Sequence, residues 1–271
     1  MSKEILKKVR QIEIRTKNIV NDFFGGDYHS NFKGKGMTFS EVREYVPGDD
    51  IRSIDWNVTA KTGKPHIKIF EEERELSVLI LIDVSSSGVF GSQNKLKIDL
   101  AVEIAAMLSF SAIKNNDKVG LALFSDTIEK YIPPKKGKKH VLRLITDIMN
   151  HDYNSSQKKT SIKSAIDFAN KISKRKSVIF LLSDFIDDNF WNELKFLNFK
   201  HDLVGLQIYD SFEKNFPNIG LINIYDAETG NKTWIDTSSK LNRKKFSENS
   251  TKKLNSFSKK CKNIGFDLLQ I

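Results

Sequence analysis

The sequence has little with which to cross-link itself. Cys261 is its single cysteine among 271 residues, and no CxxC or Cys/His cluster surrounds it. That excludes a disulfide framework and a structural zinc site, and it points to a reducing compartment. Long apolar runs are missing too. Stretches such as Val78 to Ile82 have the length of one strand, whereas a bilayer-spanning helix needs about 20 residues. The charged N-terminus Met1-Ser-Lys-Glu-Ile-Leu-Lys-Lys-Val-Arg lacks the apolar stretch of a secretory signal. A cytoplasmic location is expected, with no membrane insertion and with docking onto a membrane-bound partner left open. The five histidines, His29, His66, His140, His151 and His201, show no metal-ligand spacing, and most read as surface or satisfied structural residues. The sequence contains no internal repeat, no Walker A sequence and no dinucleotide-binding glycine fingerprint.

What is present is the composition of a globular protein, 39% hydrophobic and 29% charged, sufficient to bury a sizeable core. The length suits one α/β core with an appended segment. A net charge of +10 permits nucleic acid, acidic lipid or acidic protein as partner and does not choose among them.

Residues 1–24 place Ile5, Val9, Ile12, Ile19 and Phe23 among basic residues, an amphipathic helix pattern ending at Gly25-Gly26. A polar, glycine-punctuated stretch follows to Glu75, with a strand over His66 to Phe70. The division is therefore 1–75 for this accessory segment and 76–271 for the main domain. From Leu76 onward short apolar runs alternate with amphipathic segments, which predicts βαβ units and a doubly wound, mostly parallel α/β sheet. The central strands are Leu76 to Val84, Lys118 to Phe124, Ser177 to Ser183 and Leu203 to Tyr209. Helices are expected over Lys95 to Lys114, apolar almost all round, and over 138–150, 161–174 and 190–197. Leu221 to Asp226 and Lys232 to Ile235 read as a hairpin turning at Glu228-Thr-Gly-Asn231. A basic helix follows, with nine Lys or Arg against one Glu over 238–263; a solvated face explains it better than a nucleic-acid surface.

The chemistry concentrates in Leu79-Ile-Leu-Ile-Asp83-Val-Ser85-Ser-Ser87, a buried strand running directly into Asp-x-Ser-x-Ser. Open α/β sheets bind ligands at the carboxyl ends of their strands. A carboxylate with hydroxyls suits a hard divalent cation such as Mg²⁺, with Mn²⁺ or Ca²⁺ as substitutes. Taken alone, the pattern also serves as a helix cap. Two further oxygen donors stand where the sheet would deliver them: Thr160, opening the 161–174 helix, and Asp184, ending the run Val178 to Ser183. No Gly-x precedes Ser85 as in a hydrolase elbow. In the accessory segment Arg43, Glu44, Asp49, Asp50, Arg52 and Asp55 read as an ion network covered by Trp56, with turns at Gly36 and Gly48.

Asp83-x-Ser85-x-Ser87, Thr160 and Asp184 resemble the metal-ion-dependent adhesion site of von Willebrand factor A domains. The resemblance implies direct ligation by Ser85, Ser87 and Thr160, water-mediated roles for Asp83 and Asp184, and one position open to a partner's carboxylate. Thr160 follows Lys-Lys here, whereas relatives commonly place a glycine before it. The stretch Tyr28 to Asn57, with Gly36-Met-Thr-Phe-Ser-Glu-Val-Arg43-Glu-Tyr-Val-Pro-Gly48-Asp-Asp-Ile-Arg52-Ser-Ile-Asp55-Trp56, closely resembles the signature of the bacterial domain-of-unknown-function family 58. That likeness implies a non-enzymatic adaptor or cochaperone of a MoxR-type AAA+ ATPase, acting in assembly or activation of client complexes. Two rival functions carry different expectations. A Mg²⁺-dependent phosphoryl or phosphodiester hydrolase would use Asp83 and Asp184; a nucleic-acid binder would use Lys135, Lys136, Lys138, Lys139 and the basic helix.

Overall fold

Residues 11–12, 38–71, 76–89, 91, 96–153, 158–187, 189–225 and 232–271 are described by the computed structural model. Gln11 and Ile12 are helical; the rest of the helix expected over 1–24, its glycine stop, Gly36 and the hairpin turn at 228–231 lie outside the described residues. The chain divides into a small unit within residues 26–76 and a larger one carrying residues 77–271.

In the small unit, β1 (Thr38–Glu44) pairs antiparallel with β2 (His66–Glu71), and α1 (Trp56–Thr62) lies between them in sequence. Asp55 starts α1 by accepting the backbone N–H groups of Asn57 and Val58 at 3.0 and 3.3 Å, the usual service of an N-cap carboxylate. Gly63 ends it at φ 72°, a left-handed conformation that lacks the Cβ penalty only in glycine. Arg43 grips Asp49 through two parallel bonds of 2.8 and 2.7 Å. The expected ion network takes the form of local pairs. Glu44 meets Lys64, Asp55 meets Lys68, and Asp50 accepts from Arg52 N–H. Trp56 is 68% exposed and so is not the buried cover expected over these pairs. It opens α1 directly after the capping Asp55.

In the large unit, β3 (Ser77–Asp83), β4 (Lys118–Phe124), β5 (Ile128–Lys135), β6 (Val178–Ser183), β7 (Asp202–Gln207) and β10 (Asp267–Gln270) form one sheet in the order β10-β7-β6-β3-β4-β5. Every pairing is parallel except β4 with β5. Strand β3 shows why the middle strands read as unbroken apolar runs. Val78, Ile80 and Ile82 enter one core and Leu79 and Leu81 enter another, so both faces are covered, as parallel sheets require. The first core is closed by α2 (Lys97–Lys114) and α3 (Lys138–Met149). The second is closed by α4 (Ile162–Ile172), α5 (Trp191–Lys200) and residues from α7 (Lys240–Asn263). The short α6 (Ser211–Lys214) follows β7, and β8 (Leu221–Tyr225) pairs antiparallel with β9 (Lys232–Asp236) as the expected hairpin.

The doubly wound, mostly parallel α/β sheet expected from the sequence is therefore present. Two edge strands were not anticipated. Strand β5 carries Pro133 and Pro134 and little apolar alternation, a composition tolerated at an antiparallel edge. Strand β10 is four residues long and sits at the opposite edge.

Candidate metal centre

Strand β3 delivers Asp83 to the carboxyl end of the sheet, and the chain then folds into a short 3₁₀ turn over Ser86–Val89. Both oxygens of Asp83 are engaged: Oδ1 accepts from Ser85 N–H at 2.9 Å and Oδ2 from Ser183 Oγ at 2.7 Å. Ser85 Oγ and Ser87 Oγ share a hydrogen bond of 3.0 Å. A second loop is tied to this turn through Ser86. Lys158 N–H donates to Ser86 Oγ at 2.9 Å, and Ser86 N–H donates to Lys158 O at 3.1 Å. That tie brings Thr160 Oγ1 to 2.8 Å from Ser85 Oγ. Lys158 also pairs with Glu129 at 2.6 Å, so this loop is positioned by an ion pair and by the two hydrogen bonds to Ser86.

Strand β6 supplies the third piece. After Ser183 and Asp184 the chain turns at Phe185, whose φ of 59° is left-handed, a conformation costing roughly 1–2 kcal/mol in a residue with a side chain. Burial of the Phe185 ring against Phe190, Phe257 and Phe266 holds it there. The turn leaves Asp184 buried, with its backbone carbonyl accepting from Gln207 Nε2 at 3.1 Å. Three loops, following β3, preceding α4 and following β6, thus converge with oxygen donors.

Burial, and then the neighbouring Asp184, push the carboxyl of Asp83 up to about 7, against the hydrogen bonds from Ser85 and Ser183 that favour its charged form. The neutralising group in the vicinity is Lys97, at the start of α2. Its Nζ lies 3.3 Å from Asp184 Oδ2 and 2.7 Å from Glu213 Oε1 on α6. Burial pulls the lysine down, yet Asp184 and Glu213 outweigh it and leave its pKa above the ordinary value. Neither Lys97 nor Glu213 was anticipated. The available signal was a lysine in the first turn of an otherwise apolar helix, where the helix dipole disfavours a cation.

The donor set is entirely oxygen, two carboxylates with three hydroxyls, which is the chemistry a hard divalent cation accepts. Among the described residues no group of three or more His, Cys, Asp or Glu stands together as a metal cluster. A cleft of about 520 Å³ adjoins the Asp184 side, lined by Phe185, Trp191 and Phe257 and by Lys214, Lys253 and Lys260. Lys260 Nζ lies 5.2 Å from the centre of the Trp191 ring. The lysines around 135–139 are elsewhere: Lys135 pairs with Val119, near the amino end of β4 and away from Asp83.

Among the described residues no helix is long and apolar enough to cross a membrane. A sequence model of the family described as "Protein of unknown function DUF58" matches residues 41–255. An uncharacterized protein of Mycobacterium tuberculosis is 27% identical over 223 residues, covering 82% of this chain and 70% of that protein. The uncharacterized protein YeaD of Bacillus subtilis is 30% identical over 107 residues, 39% of this chain and 24% of its own. Of solved structures, BatB from Bacteroides thetaiotaomicron aligns over 72% of this chain and 90% of its own, at 15% identity and a TM-score of 0.48. The SpRpn10 VWA domain aligns over 49% of this chain and 76% of its own, at 13% identity and a TM-score of 0.36. With the family match running from the accessory segment through the Asp83 strand to the basic helix, the chain belongs to the DUF58 family.

Proposed function

We propose that the protein is a metal-dependent protein-binding adaptor that performs no turnover of its own. A divalent cation, Mg²⁺ in the first instance, would be held by Ser85, Ser87 and Thr160, with Asp83 and Asp184 acting through water. When bound, such an ion offers a coordination position to a carboxylate of a partner protein, a charge-assisted bond that selects an acidic residue. The partner is proposed to be a MoxR-type AAA+ ATPase, with the adaptor presenting client complexes to it.

One observation carries the reading. Hydroxyls and carboxylates from positions as distant as Ser85 and Thr160, or Asp83 and Ser183, meet within hydrogen-bond distance at the carboxyl end of the sheet. A fold that needed only caps at these loop ends would not gather five such groups at one point. The residues themselves act by holding geometry. Ser183 and the Ser85 N–H fix the Asp83 carboxylate, and the two hydrogen bonds between Ser86 and Lys158, one through the Ser86 hydroxyl and one through its N–H, fix Thr160.

The test is capture of the co-expressed MoxR-type ATPase by wild type and by Asp83→Ala, each with Mg²⁺ and with EDTA. Loss of capture in the variant and in EDTA, with unchanged circular dichroism, is expected. Equal capture in all four samples would sink the reading.

A further inference from the structure

Lys97 is an ammonium enclosed in a site otherwise made of oxygen. Its side chain is 6% exposed, and it lines the same small cavity as Asp83, Ser87, Ser183 and Asp184. Ile98 and Ala101 of its own helix wall that cavity, so the stem is packed and the charge has two seats, Asp184 and Glu213. A buried charge is tolerated only when paired. The shorter contact, 2.7 Å, is to Glu213, and the longer, 3.3 Å, is to Asp184.

The charges can be counted. Once Asp83 has given up its proton, three carboxylates, Asp83, Asp184 and Glu213, and one ammonium leave two negative charges, the complement of one divalent ion. Glu213 gives the ammonium a partner even when Asp184 is drawn elsewhere, so an ion near Asp184 need not strand a buried lysine. The Glu213 seat is itself fixed: the carboxylate also accepts from Asp210 N–H at 3.1 Å, closing a capping box on α6.

We propose that Lys97 is a tethered cation that shares Asp184 with the metal and thereby holds the metal affinity of the free protein low. This rests on reading the site as a metal centre. Ammonium and metal ion are attracted to the same carboxylate, and each weakens the other's hold on it. A partner's carboxylate restores what Lys97 withdraws, so metal and partner bind with mutual reinforcement. The site is then filled when both are present.

The experiment titrates Mn²⁺ alone into the full chain and reads free Mn²⁺ by electron paramagnetic resonance. The proteins are wild type, Lys97→Met, Lys97→Gln, the double variant Lys97→Met/Glu213→Gln, and Asp83→Ala. Lys97→Met is expected to bind at least about tenfold more tightly than wild type, since one nearby positive charge is gone. The double variant has the same formal charge as wild type, with Asp184 freed, and is expected to keep most of that gain. Lys97→Gln, which retains hydrogen-bonding groups, gives the same comparison if the methionine variant does not fold. Equal or weaker binding after removal of Lys97 overturns the proposal, and so does a double variant that falls back to wild type. If wild type binds Mn²⁺, Asp83→Ala does not, and the Lys97 variants match wild type, only the role of Lys97 falls. If neither wild type nor any Lys97 variant binds, the metal centre falls with it.

Discussion

Ser183 Oγ donates to Asp83 Oδ2 at 2.7 Å, joining the ends of neighbouring strands β6 and β3 across a sequence separation of 100. The bond favours the charged carboxylate, yet burial and Asp184 prevail and raise the group to about 7 from its ordinary 3.8. The folded protein therefore holds a proton that the unfolded chain releases. The stability from this group is fully present below 3.8 and is lost as pH rises towards about 7.

In EDTA, wild type minus Asp83→Asn should show a stability difference that declines across that window, measured by urea denaturation at a series of pH values. Divalent cation should restore wild type at neutral pH and leave Asp83→Asn little changed. Ser183→Ala removes a bond to the ionised form, worth about 1.5–3 kcal/mol, and should carry the decline to higher pH. A wild-type difference that grows with pH in EDTA would contradict the assignment.

The cleft beside Asp184 is lined by Lys214, Lys253 and Lys260 as well as by the carboxylates Asp184, Asp187 and Glu213. Asp184 and Glu213 face Lys97, and Asp187 Oδ2 accepts from Ile162 N–H at 2.9 Å at the start of α4. Lys214 and Lys253 have no ion pair among the described residues, and Lys260 lies over Trp191. Lys253→Glu with Lys260→Glu should slow association with an acidic partner by about tenfold at low salt, an effect that shrinks as salt is added. Stopped-flow association at several ionic strengths measures it. An unchanged rate would place the partner's path on another face.

Much of the centre is legible in sequence because each donor ends a strand or opens a helix. Asp83 closes an apolar run, Asp184 closes another, and Thr160 precedes an amphipathic segment, so the alternation of elements alone carries them to one edge. Lys97 and Glu213 are a different case: they stand 116 positions apart, and neither hydrophobic period nor spacing couples them. Strand β5 escaped because two prolines mask its pattern, and β10 because four residues give too little of one. Trp56 was misjudged because an aromatic beside charges suggests a cover, whereas the ring is largely in solvent.

Gly205 on β7 has a packing reason. A Cβ there would lie 2.4 Å from Phe266 Cζ and 3.0 Å from Leu268 Cδ1, closer than packed carbons allow. Gly205→Ala should cost about 1–3 kcal/mol, the usual range for overpacking. Combined with Phe266→Leu, the added cost should be smaller, because the two positions share one contact. Urea denaturation of the four proteins closes the cycle, and strict additivity would deny the contact.

His201 is an exception to the expectation that most of the histidines are surface or satisfied residues. It is 2% exposed, at the C-terminal cap of α5, and neither ring nitrogen has a partner among the described residues. Burial, with Lys200 adding to it and Asp202 opposing, lowers its pKa from the ordinary 6.5. The folded state refuses a proton that the unfolded chain takes up, so this group destabilises the protein as pH falls below 6.5. The slope is opposite in sign to that of Asp83 over an overlapping range, and the two partly cancel in wild type. Measured in an Asp83→Asn background, stability should fall from pH 6.5 downward, and adding His201→Phe should remove that fall. His201 precedes β7 at the amino end of the sheet while Asp83 ends β3 at the carboxyl end, so His201→Phe should leave Mn²⁺ affinity unchanged. An identical acid slope with and without His201 would mean that the ring is protonated as readily in the folded protein as in the unfolded chain.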